Sequence, residues 1–203
     1  TFGFAREACG ELGGGRQLQA QAYLAQQLQA AGDAKQARSL LAKATKAAGM
    51  LEGFERAEAL AAIADAEAAI GSFEQAARVR ELLAKAVAQI GEDAKAILAG
   101  SRLTAAMAQV ENGDLDAAAR LLETVDVPDL AVSGWLSLAM AAHDAGDADR
   151  VTKSLGHAWR HFEEIEEPEE CSWYASEVAR VSRAVGHQLL ERAAILALED
   201  QPP

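Results

Sequence analysis

The chain has 203 residues, half of them hydrophobic but only 5% aromatic, and it carries a formal net charge of −12. That charge argues against nucleic acid and anionic membrane surfaces, both of which need a Lys/Arg patch, and it favours basic or neutral partners. No stretch is long and apolar enough to span a bilayer, no alternating run of β-branched residues marks a strand, and much of the apolar content is alanine, the best helix former.

In chain order, residues 2–12 read as a short helix ended by Gly13-Gly14-Gly15. Residues 16–31 are amphipathic, with Leu18, Ala22, Ala25 and Leu28 at helical spacing. Gly32 stops this helix, because glycine takes the left-handed cap without strain. Asp33 caps the next helix, 34–48, by accepting free backbone N–H bonds. After a loop at 49–53 the pattern returns. Helices are expected over 54–70 and 73–90 about Gly71, and over 94–111 and 115–125 about Gly113. Two more pairs follow, 130–145 and 148–165 about Gly146, then 169–185 and 187–199 about Gly186. Gly91-Glu92-Asp93, Val127-Pro128-Asp129 and the acidic stretch around Pro168 separate the pairs, and 201–203 is a tail. The expected organisation is one domain over 1–203, with a leading helix and hairpins at approximately 16–48, 54–90, 94–125, 129–165 and 169–199.

The turn glycines Gly32, Gly71, Gly113, Gly146 and Gly186 recur at intervals of 33 to 42 residues. Seven residues before each stands an alanine: Ala25, Ala64, Ala106, Ala139 and Ala179. A small residue there lets the two helices of a hairpin cross closely. One residue earlier come Leu24, Ile63, Ala105, Leu138 and Val178, all apolar. Five, nine and twelve residues after the glycine the first hairpin places Ala37, Leu41 and Ala44, and the third Ala118, Leu122 and Val125. Arg80 and Glu191 break this register. A helix–glycine–helix unit repeated at such a period marks a helical array.

The pattern resembles the tetratricopeptide repeat family over nearly the whole chain. The hairpin around Gly32 matches most closely, with Ala25, Gly32, Asp33, Ala37, Leu41 and Ala44, and Trp135 stands where the family often has tryptophan. Arg102 replaces a large apolar residue, and the closing proline is mostly absent. The resemblance implies an all-α, right-handed α-solenoid of about five antiparallel hairpins plus one leading helix. It also implies that the first helix of each hairpin lines a concave face, where such arrays hold peptides, helices or whole proteins.

Projection of the first helices gives the candidate contact residues. In the first two hairpins the face is polar to acidic, with Gln19, Gln26, Gln29, Glu58, Ala61 and Asp65. In the third and fourth it is apolar, with Leu103, Met107, Val110, Leu136, Met140 and His143. Methionine suits adaptable binding surfaces, and an exposed apolar strip marks a partner site; the competing reading is packing of one hairpin on the next. The last hairpin adds Trp173, Glu177, Arg180 and Arg183, of which Trp and Arg are typical interface anchors; a capping helix with a solvated charged face is the alternative.

Other features carry less. His157 and His161 stand four apart with Glu164 beside them, a spacing that can hold a metal only with a further ligand. The glutamate-rich run 163–170 lacks the Asp, Asn and Gly pattern of a calcium loop. Gly13-Gly14-Gly15 precedes no Lys-Ser/Thr, so it is no phosphate loop. No nucleophile–base arrangement stands out, and no cofactor is implied. The lone Cys9 and Cys171 favour a reducing, cytoplasmic compartment; with Thr1 first, an exported protein with its signal removed is the alternative. The expectation is therefore a non-catalytic interaction scaffold or assembly subunit binding a protein or peptide. The second reading is a regulatory domain sensing a ligand or peptide. The apolar residues Phe2 and Phe4 further suggest that the N-terminal end docks in a larger assembly or continues the array upstream.

Overall fold

The computed structural model describes residues 13–199, and the expected leading helix with Phe2 and Phe4, together with the tail, lies outside the described residues. Ten α-helices account for nearly all of the described chain, which contains no strand. They are α1 (Gly14–Ala30), α2 (Ala34–Ala48), α3 (Gly53–Ala69), α4 (Phe73–Ile90) and α5 (Lys95–Glu111), followed by α6 (Leu115–Leu122), α7 (Pro128–Asp144), α8 (Ala148–Phe162), α9 (Pro168–Ala184) and α10 (Gln188–Glu199). A 3-10 turn at Glu92–Ala94 leads into α5. The helices fall into two compact units, and the boundary between Ala108 and Gln109 lies inside α5. In the first unit α1 packs on α2, α3 on α4, and α1 also on α3. In the second, α7 packs on α8 and α9 on α10, while α6 and α9 both lie against α7. No helix among the described residues is long and apolar enough to cross a membrane.

One turn chemistry is used five times. Gly32, Gly71, Gly113, Gly146 and Gly186 all have φ between +74° and +86°. The residue after each donates its N–H to the carbonyl five positions back, as in Asp33 to Leu28 at 2.8 Å and His187 to Ser182 at 2.7 Å. This 6→1 bond closes the preceding helix and satisfies a carbonyl that would otherwise lack a partner. The same residue then starts the next helix. Asp33, Asp114 and Asp147 accept the N–H of Gln36, Ala117 and Arg150 at 2.9–3.0 Å. Ser72 makes no such cap, because its hydroxyl serves the Glu67 carboxyl.

The alanines seven residues before the five turns are all buried, and Leu24, Ile63, Ala105, Leu138 and Val178 beside them are buried too. Nine residues after the turn, Leu41, Leu122 and Leu155 are fully buried. Each such leucine contributes about 1.5–3 kcal/mol of transfer free energy relative to exposure.

The two register breaks each have a partner. Arg80 holds the leucine position of the second hairpin at only 8% exposure, within the field of Asp65 on α3. Ser101 on α5 donates to Asp65 Oδ1 at 2.7 Å. Burial outweighs both favourable partners and pushes the Asp65 carboxyl up to about 6. Glu191 is drawn toward solvent by Arg183, whose Nε lies 2.7 Å from it.

Three boundaries differ from the sequence expectation. Gly14 and Gly15 open α1 instead of breaking a helix, since their missing side chains let the Glu55 carboxylate reach the Gly15 N–H at 2.6 Å. A carboxylate at that end is favoured by the helix dipole. The helix after Gly113 stops at Leu122, three residues early, where the Thr124 hydroxyl takes the Leu121 carbonyl at 2.7 Å. The helix after Gly146 stops at Phe162, and Glu164 and Ile165 continue only as i→i+3 turns.

Candidate functional site

The cleft that gathers the largest group of candidate residues lies in the second unit, between α7 and α9. Both are first helices of their hairpins. Ser133, Leu136, Ser137 and Met140 line it from α7, and Trp173, Tyr174, Glu177, Arg180 and Val181 from α9, around about 510 Å³. The spacing 133, 136, 137, 140 is one stripe of a helix, as is 173, 174, 177, 180, 181. Pro128 and Pro168 sit at the first turns of these two helices, where the missing N–H is no loss.

Leu136 forms the floor at 5% exposure, and Met140 is half-buried beside it. Trp173 stands on the rim, 56% exposed, with its ring edge-on to Tyr174 at 4.5 Å. Tyr174 is anchored by a side-chain hydrogen bond with Ser133, and burial holds its phenol above the ordinary range. Arg180 grips Glu177 through Nη2 at 2.7 Å and Nε at 3.1 Å, which raises the guanidinium further above its usual range. The cleft thus joins an apolar floor, an exposed indole and one exposed ion pair. It offers burial, hydrogen bonding and a salt-bridge exchange, and it holds no nucleophile paired with a base.

Five of the candidate residues, Leu136, Met140, Trp173, Glu177 and Arg180, therefore meet in one place. The others do not join them. His143 is exposed and lines a separate cleft of about 370 Å³ with Val151, Thr152 and His187. Arg183 points to Glu191 on α10. Leu103, Met107 and Val110 are half-buried along one side of α5, the first two in the first unit and Val110 just inside the second. On the polar face of the first unit, Gln19 reaches Glu58 at 3.5 Å, so α1 and α3 are tied there by side chains. Ser133, Ser137, Tyr174 and Val181 were not expected from the sequence; the doubled spacing 173/174 and 133/137, read as a two-residue-wide stripe, is the signal that marks them.

The histidine pair does not converge. The His157 ring stacks on Trp135 at 4.2 Å, and His161 Nδ1 meets Glu164 at 3.1 Å. No group of three metal-ligating side chains occurs among the described residues. The Cys171 thiol donates to the Ile165 carbonyl at 3.1 Å.

No family model matches the sequence, and no curated protein matches it. The fold does have solved counterparts. A kinesin light chain-like protein from Podosopora anserina, with nearly identical TPR-like repeats, is similar at a TM-score of 0.50 and 20% identity, over 93% of this chain and 96% of that one. BtubC (BKLC) from P. vanneervenii is similar at a TM-score of 0.49 and 20% identity, over 91% of this chain and 79% of that one. The fold is a TPR-like helical repeat. In TPR-like terms the cleft between α7 and α9 lies between the first helices of consecutive repeats.

Proposed function

We propose that this TPR-like chain is a non-catalytic interaction module and that the α7/α9 cleft receives a segment of a protein or peptide partner. The observation that supports this most is Trp173, a large side chain left 56% exposed in the same cleft as the half-buried Met140 and the buried Leu136. Exposed indoles beside an apolar floor and an arginine are the usual composition of an interface anchor. The net charge of −12 favours a basic or neutral segment, with a cation able to take Glu177 from Arg180.

The test uses Trp173→Ala and Met140→Glu. Affinity capture from the native source with quantitative mass spectrometry identifies the partner, and purified partner is then titrated against each variant. Both variants should bind about tenfold more weakly or worse while melting close to the parent, since neither side chain is fully buried. Parent-like affinity in both would place the partner elsewhere on the chain.

A further inference from the structure

A second cleft, of about 220 Å³, lies on the other side of the second unit, between α6 and α8. Its register equivalent in the first unit lies between α2 and α4 and is lined by Val79 and Leu82. Counting from the turn glycine, Val79 corresponds to Ser154 and Leu82 to His157, and Leu60 on α3 corresponds to Trp135 on α7. Three apolar residues of the first unit are thus Trp, Ser and His in the second, all lining one cleft.

Two of these polar groups are left without a protein partner. Trp135 is 3% exposed and Ser154 is 1% exposed, and neither Trp135 Nε1 nor Ser154 Oγ has a hydrogen-bond partner. Both atoms are closed to solvent, with the His157 ring stacked on Trp135, so a ligand reaches them by displacing a neighbouring side chain; buried polar atoms are ordinarily paired, and two beside one small cleft call for such a group. An indole N–H only donates, so the group above it must accept. The rim carries Glu123, Asp149 and Lys153, while Arg150 is already held by Asp116 at 2.7 Å and Asp147 at 3.0 Å. The uncompensated charge at the rim is therefore slightly negative, which disfavours a carboxylate. A bare cation would leave the indole N–H unmatched. Burial and the nearby Arg160 lower the His157 pKa, so the imidazole is neutral near pH 7 and adds one further acceptor.

We propose that this cleft binds a primary carboxamide, its carbonyl oxygen toward Trp135 Nε1 and Ser154 and its NH₂ toward His157 and the acidic rim. A glutamine or asparagine side chain of a partner supplies that group, and the volume suits one side chain. The site is separate from the α7/α9 cleft, so its test does not depend on that reading.

The experiment follows the three indole N–H signals of the full ¹⁵N-labelled chain by NMR, assigned through Trp159→Phe and Trp173→Phe. The probes are the N-methylamides of N-acetylglutamine, N-acetylglutamate and N-acetyllysine, so that only the glutamine derivative carries a primary carboxamide. The glutamine derivative should shift the Trp135 signal saturably. The other two should need roughly tenfold higher concentration or more, as expected when a buried polar pairing is lost. Ser154→Val with His157→Leu, which restores the first unit's residues, should abolish the shift while keeping the fold's dispersed spectrum. An unmoved Trp135 signal, equal shifts with all three probes, or a shift surviving the double substitution would overturn the proposal. If the shift tracks the backbone amides common to all three probes, the carboxamide assignment falls in the same way.

Discussion

At the scale of the residue, the informative positions are those where the repeat register asks for an apolar side chain and receives a polar one. Arg80 and Asp65 form the clearest case. Asp65 has its carboxyl raised from 3.8 to about 6 by burial. Between those values the folded chain binds a proton that the unfolded chain has lost, so its contribution is fully present below about pH 4 and is lost as pH rises through about 6. Asp65→Asn cannot ionise and should flatten the stability profile over that window in urea titrations. It also removes the carboxylate whose field favours the buried Arg80 guanidinium, so the single variant should be less stable than the parent at pH 7. Asp65→Asn combined with Arg80→Leu removes both charges and puts a leucine where the other hairpins carry Leu41, Leu122 and Leu155. That double variant should be at least as stable as the parent, because it removes two desolvated charges and adds a buried leucine. If it is as weak as the single variant, the two side chains do not act as a pair.

At the scale of the element, the glycines separate by role. Gly32 has φ of +86° with nothing within 4 Å of an added Cβ, so Gly32→Ala meets no clash and loses only the backbone preference. A left-handed conformation costs an L-residue roughly 1–2 kcal/mol, so the melting temperature should fall by several degrees. Gly156 lies inside α8 with equally open surroundings and an ordinary helical φ. Gly156→Ala should therefore raise stability by about 0.5–1 kcal/mol. Thermal melts of the two variants should move in opposite directions; parallel shifts would contradict the turn assignment. These turns were legible because glycine, then Asp or Ser, then a small–large–small pattern is a local code. The early stops at Leu122 and Phe162 were not, since apolar residues such as Val125 and Ile165 run past both ends and imitate a continuing helix. The site divides in the same manner. Leu136, Met140, Trp173 and Arg180 were legible from projection of single helices. The Trp135–His157 stack and the Tyr174–Ser133 bond were not, because each needs a residue from a second helix that spacing within one element cannot supply.

At the scale of the whole molecule, two properties escape local reading: where the compact units divide and how the charge acts. The division between Ala108 and Gln109 lies in the unbroken helix α5, with no proline, glycine or polar linker to mark it. The charge is plain in the composition, but its effect depends on how it is compensated. The ion pairs of the described residues are short in sequence range or exposed, such as Arg78 with Glu74 and Arg180 with Glu177, and exposed pairs contribute only about 0–1 kcal/mol each. A net −12 then acts mainly as self-repulsion in the compact state. Raising salt from about 0.01 M to about 0.5 M shortens the screening length from about 30 Å to a few ångströms, so distant repulsions vanish before contact pairs do. The melting temperature should rise by a few degrees over that range at pH 7. The same change should weaken a basic partner in the α7/α9 cleft, because it screens long-range attraction. Opposite responses of stability and affinity to one variable are the signature of an acidic surface that repels itself and attracts its partner. A melting temperature that falls with salt would instead show that local pairs such as Arg150 with Asp116 and Asp147 outweigh the repulsion.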